Sequence, residues 1–415
     1  MKKILYIAPI FLSLTLQAQI PTDDYRQQVI AYSMELKSAE AAIDYATQTI
    51  AYNKRSRLPQ LSASGNFRYL LHNEQGIKPT GIAIEPTIVQ TIYSGGSNIS
   101  QIKQAELSRE IALCDAEYTM LEVEYAADYA YWNLWAMERY VASVEQYVSQ
   151  IKGVRQAIKY RYDEGYTTKG DLLMITSQLN EAEYQLTTIK QSYLIALQDF
   201  NILRGFTLSL DVNMESIKPD TTALLHRASI DQIIDARPDY KAAILTEQQS
   251  QEATRQVKGS YNPQLTAGVS GSWYTHTPNY DHSTTLDGFA YLSLSVPIYR
   301  FGERRKAVAR SQALERVNTY AIRSTQDMIV SEEASAWTSI VTSYAQLSTA
   351  KQSLTIASEN LEISTYSYNE GLISIVELMQ AQTSWINIFA NSIESLFNYQ
   401  IALSAYYKAT GGVSR

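Results

Sequence analysis

The chain has 415 residues, a formal net charge of −7, one cysteine and four histidines. A single thiol excludes a disulfide framework, and the acidic balance argues against a phosphate-binding surface for nucleic acid. Thirty-one tyrosines against eight phenylalanines favour surfaces that are apolar at one end and wet at the other, as at a membrane interface or the wall of a water-filled passage.

Met1 to Ala18 reads as a secretory leader: Lys2 and Lys3 give a basic start, Ile4 to Leu16 an apolar run, and Ala18 a small residue at the cut. An uncleaved anchor is the alternative, although the run is short of the roughly 20 residues a spanning helix needs. Cys114 lies far from the processing site, so no N-terminal lipid anchor is expected, and its expected use is as a small buried apolar residue. A first helix is expected over about 24–54. The period then changes to two: Leu61, Ala63, Gly65, Phe67, Tyr69 and Leu71 alternate with Gln60, Ser62, Ser64, Asn66 and Arg68, which predicts a strand with one apolar and one wet face. A second strand over Gly81 to Ile92 is less regular because of Glu85 and Pro86.

No proline occurs from Thr87 to Lys218, so a very long helix is expected from Ser97 to Glu164, on the order of 100 Å at 1.5 Å per residue. Its seam is Leu113, Ala116, Met120, Val123, Ala127, Ala130, Leu134, Met137, Val141, Val144, Val148 and Ile151. Steps alternating between three and four make a heptad, hence a left-handed supercoil. After a break at Gly165 a return helix carries Leu172, Ile175, Leu179, Ala182, Leu186, Ile189, Tyr193, Ala196, Phe200 and Leu203 in the same register. A second short helix is expected over about 238–258, with Pro238 in the first turn where proline is tolerated. Two further strands follow, Leu265 to Trp273 and Ala290 to Val296. The last helical segment repeats the seam at Ile322, Ile329, Ala336, Ile340, Leu347, Ala350, Leu354 and Ala357, interrupted by Gln326, Glu333 and Ser343.

These elements are a duplication. Tyr162, Glu164 and Gly165 recur 206 residues later as Tyr368, Glu370 and Gly371, and an offset of 204 carries Pro59-Gln60-Leu61 onto Pro263-Gln264-Leu265. The expected organisation is a leader at 1–18 and a first repeat at 19–206, with a β-hairpin at about 59–93 and a helical hairpin at about 97–205. A linker at 207–230 leads to a second repeat at 231–412, with hairpins at about 262–299 and 303–411.

Strands of about ten residues with one greasy face fit a transmembrane β-barrel wall, for which the expected length is about 9–11. An ordinary sheet packed on the helices is the alternative. Four strands cannot close a barrel alone, since an open edge in lipid leaves unpaired backbone groups. Two copies would supply about eight strands and a filled interior, three about twelve and room for a bore.

Catalytic chemistry is sparse. His276, Asp281 and His282 could meet a divalent ion, but an exposed polar loop explains them as well. Gly95-Gly96-Ser97 reads as a turn and helix cap because no Gly-Lys-Ser/Thr follows. Glu332-Glu333 and Glu122-x-Glu124 are expected to be helix-surface charge. No nucleophile stands beside a base, so neither an enzyme nor a cofactor is expected.

Together these residues resemble the TolC-like outer membrane efflux protein family. The marks are Leu58-Pro59-Gln60-Leu61 and Asn262-Pro263-Gln264-Leu265, Ile92-Tyr93-Ser94-Gly95-Gly96 and Pro297-Ile298-Tyr299, and the two Tyr-x-x-Gly breaks. Asn201-Ile202-Leu203-Arg204-Gly205, Ala236-Arg237-Pro238-Asp239-Tyr240 and the run from Ala402 to Gly411 complete the set. The resemblance implies a mainly α fold with membrane β: a homotrimer with a 12-stranded outer-membrane barrel on a long periplasmic α-helical barrel. It implies the exit duct of a tripartite efflux or type I secretion system, working with a periplasmic adaptor and an inner-membrane transporter. Carried over, Tyr162, Gly165, Tyr368 and Gly371 mark the periplasmic tip where the adaptor docks. Asp171 and Glu377, six residues after each glycine, would form an acidic constriction. Acids near a helix start are equally explained by its dipole, Lys169 could offset Asp171, and Gln380 stands where some relatives carry a second acid. The rival class is a periplasmic coiled-coil tether without a pore.

Overall fold

The computed structural model describes residues 21–69, 71, 80–208, 210–212, 214, 217, 219, 226–275 and 285–413. The leader and the His276, Asp281 and His282 loop lie outside the described residues. In chain order the elements are α1 (Thr22–Tyr32), α2 (Met34–Arg55), β1 (Gln60–Tyr69), β2 (Thr80–Ser94), α3 (Ser97–Asp163), α4 (Lys169–Leu203), α5 (Ile230–Ala236), α6 (Pro238–Gly259), β3 (Gln264–Thr275), β4 (Thr285–Ser295), α7 (Glu303–Asn369) and α8 (Ile375–Ala409). The helix expected over 24–54 is therefore two. Ser33, at ψ 122°, leaves the helical region and its N–H still bonds back to Val29 O. Nothing in the local sequence marks that break.

The described residues cluster into two compact units, each drawing on both halves of the duplication. One comprises Met1–Met34, Met120–Ile230 and Ser331–Arg415; the other comprises Glu35–Thr119 and Asp231–Val330.

In the first unit α3, α4, α7 and α8 share one apolar core. Val144, Val148, Ile151, Ile175, Leu179, Ala182, Leu378 and Trp385 are all in it, and no residue of the α4 seam is exposed. Around α1 the core becomes aromatic. Tyr25 stacks on Phe200 at 4.0 Å and donates its hydroxyl to Phe200 O at 3.1 Å, so burial leaves its polar end satisfied. Beside it Asp128, 4% exposed, accepts from Arg26 through both Nε and Nη2 and from Ser404 Oγ at 2.6 Å, which ties α1, α3 and α8 at one carboxylate.

Glu333 corrects the expectation of surface charge. Its side chain is buried and takes a two-pronged bond from Arg227, Nε to Oε1 at 2.9 Å and Nη2 to Oε2 at 2.7 Å. The seam keeps an acid because the segment before α5 brings a guanidinium to it. Ser343, another interruption of the seam, is buried with its hydroxyl donating to Ser339 O of its own helix at 2.6 Å. Gln326 is exposed.

Two of the sequence marks also find reasons here and in the second unit. Asn201 accepts Arg204 on Oδ1 and donates from Nδ2 to Leu208 O and Leu210 O, closing the helix end. Arg237, with no exposed side chain, forks onto Asp239 across Pro238.

The second unit holds the sheet, in order β1-β2-β3-β4 and antiparallel throughout. The register aligns one set of residues across it: Leu61 opposite Ile88, Ile88 opposite Val269, Val269 opposite Ala290, and likewise Phe67 with Ile82 and Ala267 with Leu292. The opposite face is mainly polar, with Thr87 and Ser270 hydroxyls 3.2 Å apart and Tyr274 donating to Glu85; Phe289 and Tyr291 are its aromatic members on β4. Pro86 sits inside β2 because pairing with β3 skips Glu85 and Pro86, so the missing N–H falls where no ladder bond is made.

Candidate functional site

Leu61 is 74% exposed and Leu286 79%, and Phe67, Leu292 and Leu294 are similarly open. An apolar side chain left in water forfeits about 1.5–3 kcal/mol relative to burial, so five such residues on one sheet face are a surface built for an apolar surrounding. The alternative of a sheet packed on its own helices does not hold for these residues. Among the described residues β1 and β4 each pair on one side only, leaving two open edges. Among the described residues no helix is long and apolar enough to cross a membrane.

The second candidate region is the pair of helical turns in the first unit. Tyr166 N bonds to Arg161 O at 2.7 Å and Gly165 N to Tyr162 O at 3.0 Å; Leu372 N bonds to Ser367 O at 2.8 Å and Gly371 N to Tyr368 O at 3.0 Å. Both are Schellman closures, which explains the Tyr-x-x-Gly spacing. The tyrosine carbonyl is the one the glycine N–H caps, and the glycine must be left-handed, at φ 78° and 77°. Gly165→Ala is expected to cost about 1–2 kcal/mol through the backbone alone, since nothing lies within 4 Å of an added Cβ. Gly205→Ala, also at positive φ but with its Cβ 2.3 Å from the Tyr32 ring, should cost distinctly more. Unfolding midpoints of the two variants measure the difference, and equal losses would reject the steric part.

The turns meet. Arg161 of the first lies over the Tyr368 ring of the second at 5.4 Å. Burial pushes the Tyr368 phenol up from its ordinary pKa while that guanidinium draws it back. Tyr162 is more exposed than Tyr368. Arg161 escaped the sequence reading because its partner lies in the other repeat.

Asp171 and Glu377 each complete a capping box. Asp171 Oδ2 accepts from Thr167 Oγ1 at 2.7 Å, Thr168 Oγ1 at 2.8 Å and Thr168 N at 3.1 Å. Glu377 Oε2 accepts from Ser374 N at 2.7 Å and Ser374 Oγ at 2.8 Å. The signal was present as Thr-x-x-Asp and Ser-x-x-Glu. Hydrogen bonds from Thr167 and Thr168 hold the Asp171 carboxyl below its ordinary pKa, and those from Ser374 do the same for Glu377. The second oxygen of each has no partner among the described residues, and Lys169 makes no ion pair there. Gln178 Nε2 donates to Tyr147 Oη at 3.0 Å and reaches Thr383 Oγ1 at 3.5 Å. The helices that open with the two acids, α4 and α8, are thus tied to each other.

A sheet with an uncovered apolar face, carried with coiled helical hairpins in duplicate, is the architecture of outer-membrane channels. The chain belongs to the outer membrane efflux protein family, whose profile matches residues 25–203 and 229–412; members of that family are non-enzymatic conduits. It is 22% identical to outer membrane protein TolC of Escherichia coli K12, over 97% of this chain and 85% of that protein. With TolC of Vibrio cholerae it shares 26% identity over 44% of this chain and 43% of that protein. Its fold matches that of the outer membrane protein VceC of Vibrio cholerae with a TM-score of 0.77 at 16% identity, over 95% of this chain and 97% of that one.

Proposed function

We propose that three copies of this chain pool their sheets into a 12-stranded barrel in the outer membrane, with the helical hairpins forming a periplasmic tunnel, and that the trimer is the passive exit duct of a tripartite efflux or type I secretion system. The observation that carries this reading is the sheet, with one face apolar and uncovered, the other mainly polar, and both edges open among the described residues. Lipid supplies the surroundings the apolar face needs, and a neighbouring copy supplies strands for both edges. The polar face, with Glu85, Thr87 and Ser270, then lines a wet bore.

A periplasmic adaptor engages the turns at Tyr162, Gly165, Tyr368 and Gly371 and an inner-membrane transporter provides the energy. Asp171 and Glu377 constrict the tip as up to six like charges. The leader at 1–18 directs export. No cofactor takes part.

Protein extracted in detergent is expected to run as a heat-modifiable trimer and to give discrete conductance steps in a planar bilayer. A monomer released without detergent, with no conductance, would reject the duct and favour a coiled-coil tether.

A further inference from the structure

The junction of β4 and α7 carries a groove of about 700 Å³ lined by Lys258, Arg300, Arg304 and Arg305 together with Ile298 and Tyr299. Its one carboxylate, Glu303, is engaged: it accepts from Tyr261 Oη at 2.8 Å and faces Arg300 Nη1 at 3.8 Å. Lys258, Arg304 and Arg305 are exposed and form no ion pair among the described residues. Arg304 and Arg305 do nothing for α7 itself, since cations in a first turn face the positive end of the helix dipole; Lys258 stands in the last turn of α6.

The duplication supplies an internal control. In the first repeat the positions of Arg300, Arg304 and Arg305 are Ser94, Asn98 and Ile99, and the counterpart of Lys258 is Lys54. Lys54 is paired with Glu106 at 2.9 Å, but the counterpart of Glu106 is Gln312. The same turn therefore folds without this charge, and the second repeat has gained cations while losing the acid that would balance them.

Two further observations define what the groove fits. The apolar alternation of β4 runs past the end of the strand through Val296 to Ile298, which is 93% exposed, and Tyr299 beside it is open as well. The uncovered strand face is thus continuous with the cationic cluster, which suits an amphiphile with an anionic head. The contact between repeats also shows which side a second copy would cover. Lys103 and Gln104 of α3 meet Glu252 and Gln256 of α6, and their counterparts on α7 are Ala309 and Arg310. Ile99, the counterpart of Arg305, remains 52% exposed beside that contact, and Ser94 and Asn98, the counterparts of Arg300 and Arg304, are half-buried, so the Arg305 side stays open when the repeats pack and a second copy reaches the groove at its Ala309 edge.

We propose that this groove binds the phosphate head of an anionic glycerophospholipid in the leaflet from which the helices emerge, with the acyl chains on the apolar face of β4. Guanidinium and ammonium groups at the membrane surface supply the attraction, and Tyr299 sits at the headgroup level. This rests on the membrane-barrel reading above.

Native mass spectrometry of the detergent-solubilised protein, titrated with phosphatidylglycerol or phosphatidylcholine, tests it. Phosphatidylglycerol should load at roughly tenfold lower concentration, and Lys258→Gln/Arg304→Gln/Arg305→Gln should erase that preference. The charge-retaining Arg304→Lys/Arg305→Lys variant should keep it, and the heat-modifiable band checks that each variant folds. Equal loading of the two lipids, or a preference that survives the triple variant, overturns the proposal. Competition by inorganic phosphate would make this a site for free anions, and loss of the oligomer in the triple variant would assign the cations to a second copy; either overturns it too. Planar-bilayer conductance of the wild type is measured separately: conducting protein without lipid preference removes this inference alone, whereas protein that neither inserts nor conducts removes the duct reading as well.

Discussion

Asp128→Ala is expected to be the most damaging single substitution in the first unit, lowering stability by about 3–5 kcal/mol. The carboxylate holds Arg26 through two nitrogens and Ser404 through its hydroxyl, and the Arg26 side chain is only 18% exposed. Removing the acid strips that guanidinium of its buried partner and leaves it only the exposed Asp23, 2.8 Å from Nη1, and it unties α8 from α1 and α3. Ser404→Ala removes one charge-assisted bond and is expected to cost about 1.5–3 kcal/mol. Arg26→Met combined with Asp128→Leu exchanges the pair for apolar side chains and should recover most of the loss, because a buried ion pair is not itself a large source of stability. Denaturant unfolding of the detergent-solubilised protein, followed by tryptophan fluorescence from Trp132 and Trp135 in the adjoining core, gives all three values. A loss below about 1 kcal/mol for Asp128→Ala would mean that Arg26 reaches water once released.

Periodic features were legible in the sequence, and contacts between distant segments were not. The α3 and α4 seams could be read because a heptad fixes which side of a helix is buried, whatever partner buries it. The strand faces could be read for the same reason at a period of two, and Glu85 and Pro86 proved compatible with β2 once the register placed the acid on the wet face and the proline at a gap in the ladder. Ser33 gave no warning because serine is tolerated within helices and its break depends on surroundings the local pattern does not encode. Glu333 looked like surface charge because its partner, Arg227, lies 106 residues away. At the turns the glycines announced themselves, since a left-handed residue after a long helix is nearly always glycine. The pairing of Arg161 with Tyr368 did not, because it joins turns that lie in different repeats, far apart in the chain.

Neutralising Asp171 and Glu377 together is expected to raise single-channel conductance and abolish cation selectivity. The capping boxes shape how this must be measured. Alanine at either position removes a charge and a helix cap at once, so a changed channel could reflect a frayed turn. Asp171→Asn with Glu377→Gln keeps a carbonyl acceptor for the Thr168 and Ser374 backbone N–H groups while removing the charge. If charge governs the constriction, the amide and alanine variants lose selectivity alike; if the cap matters, only the alanine variant changes. The hydrogen bonds also set the pH dependence. Both carboxyls are held below their ordinary values of 3.8 and 4.5, so each is still mostly charged when the pH reaches its own ordinary value. Their contribution to folding has the same sign: it is present above the ordinary carboxylate pKa and lost as pH falls through the lowered one. Cation selectivity in the wild type should therefore persist at pH 4.5 and disappear only in stronger acid. A channel that loses selectivity near pH 6, or one whose selectivity is untouched in the amide variant, would take these two residues out of the constriction and leave them as helix caps.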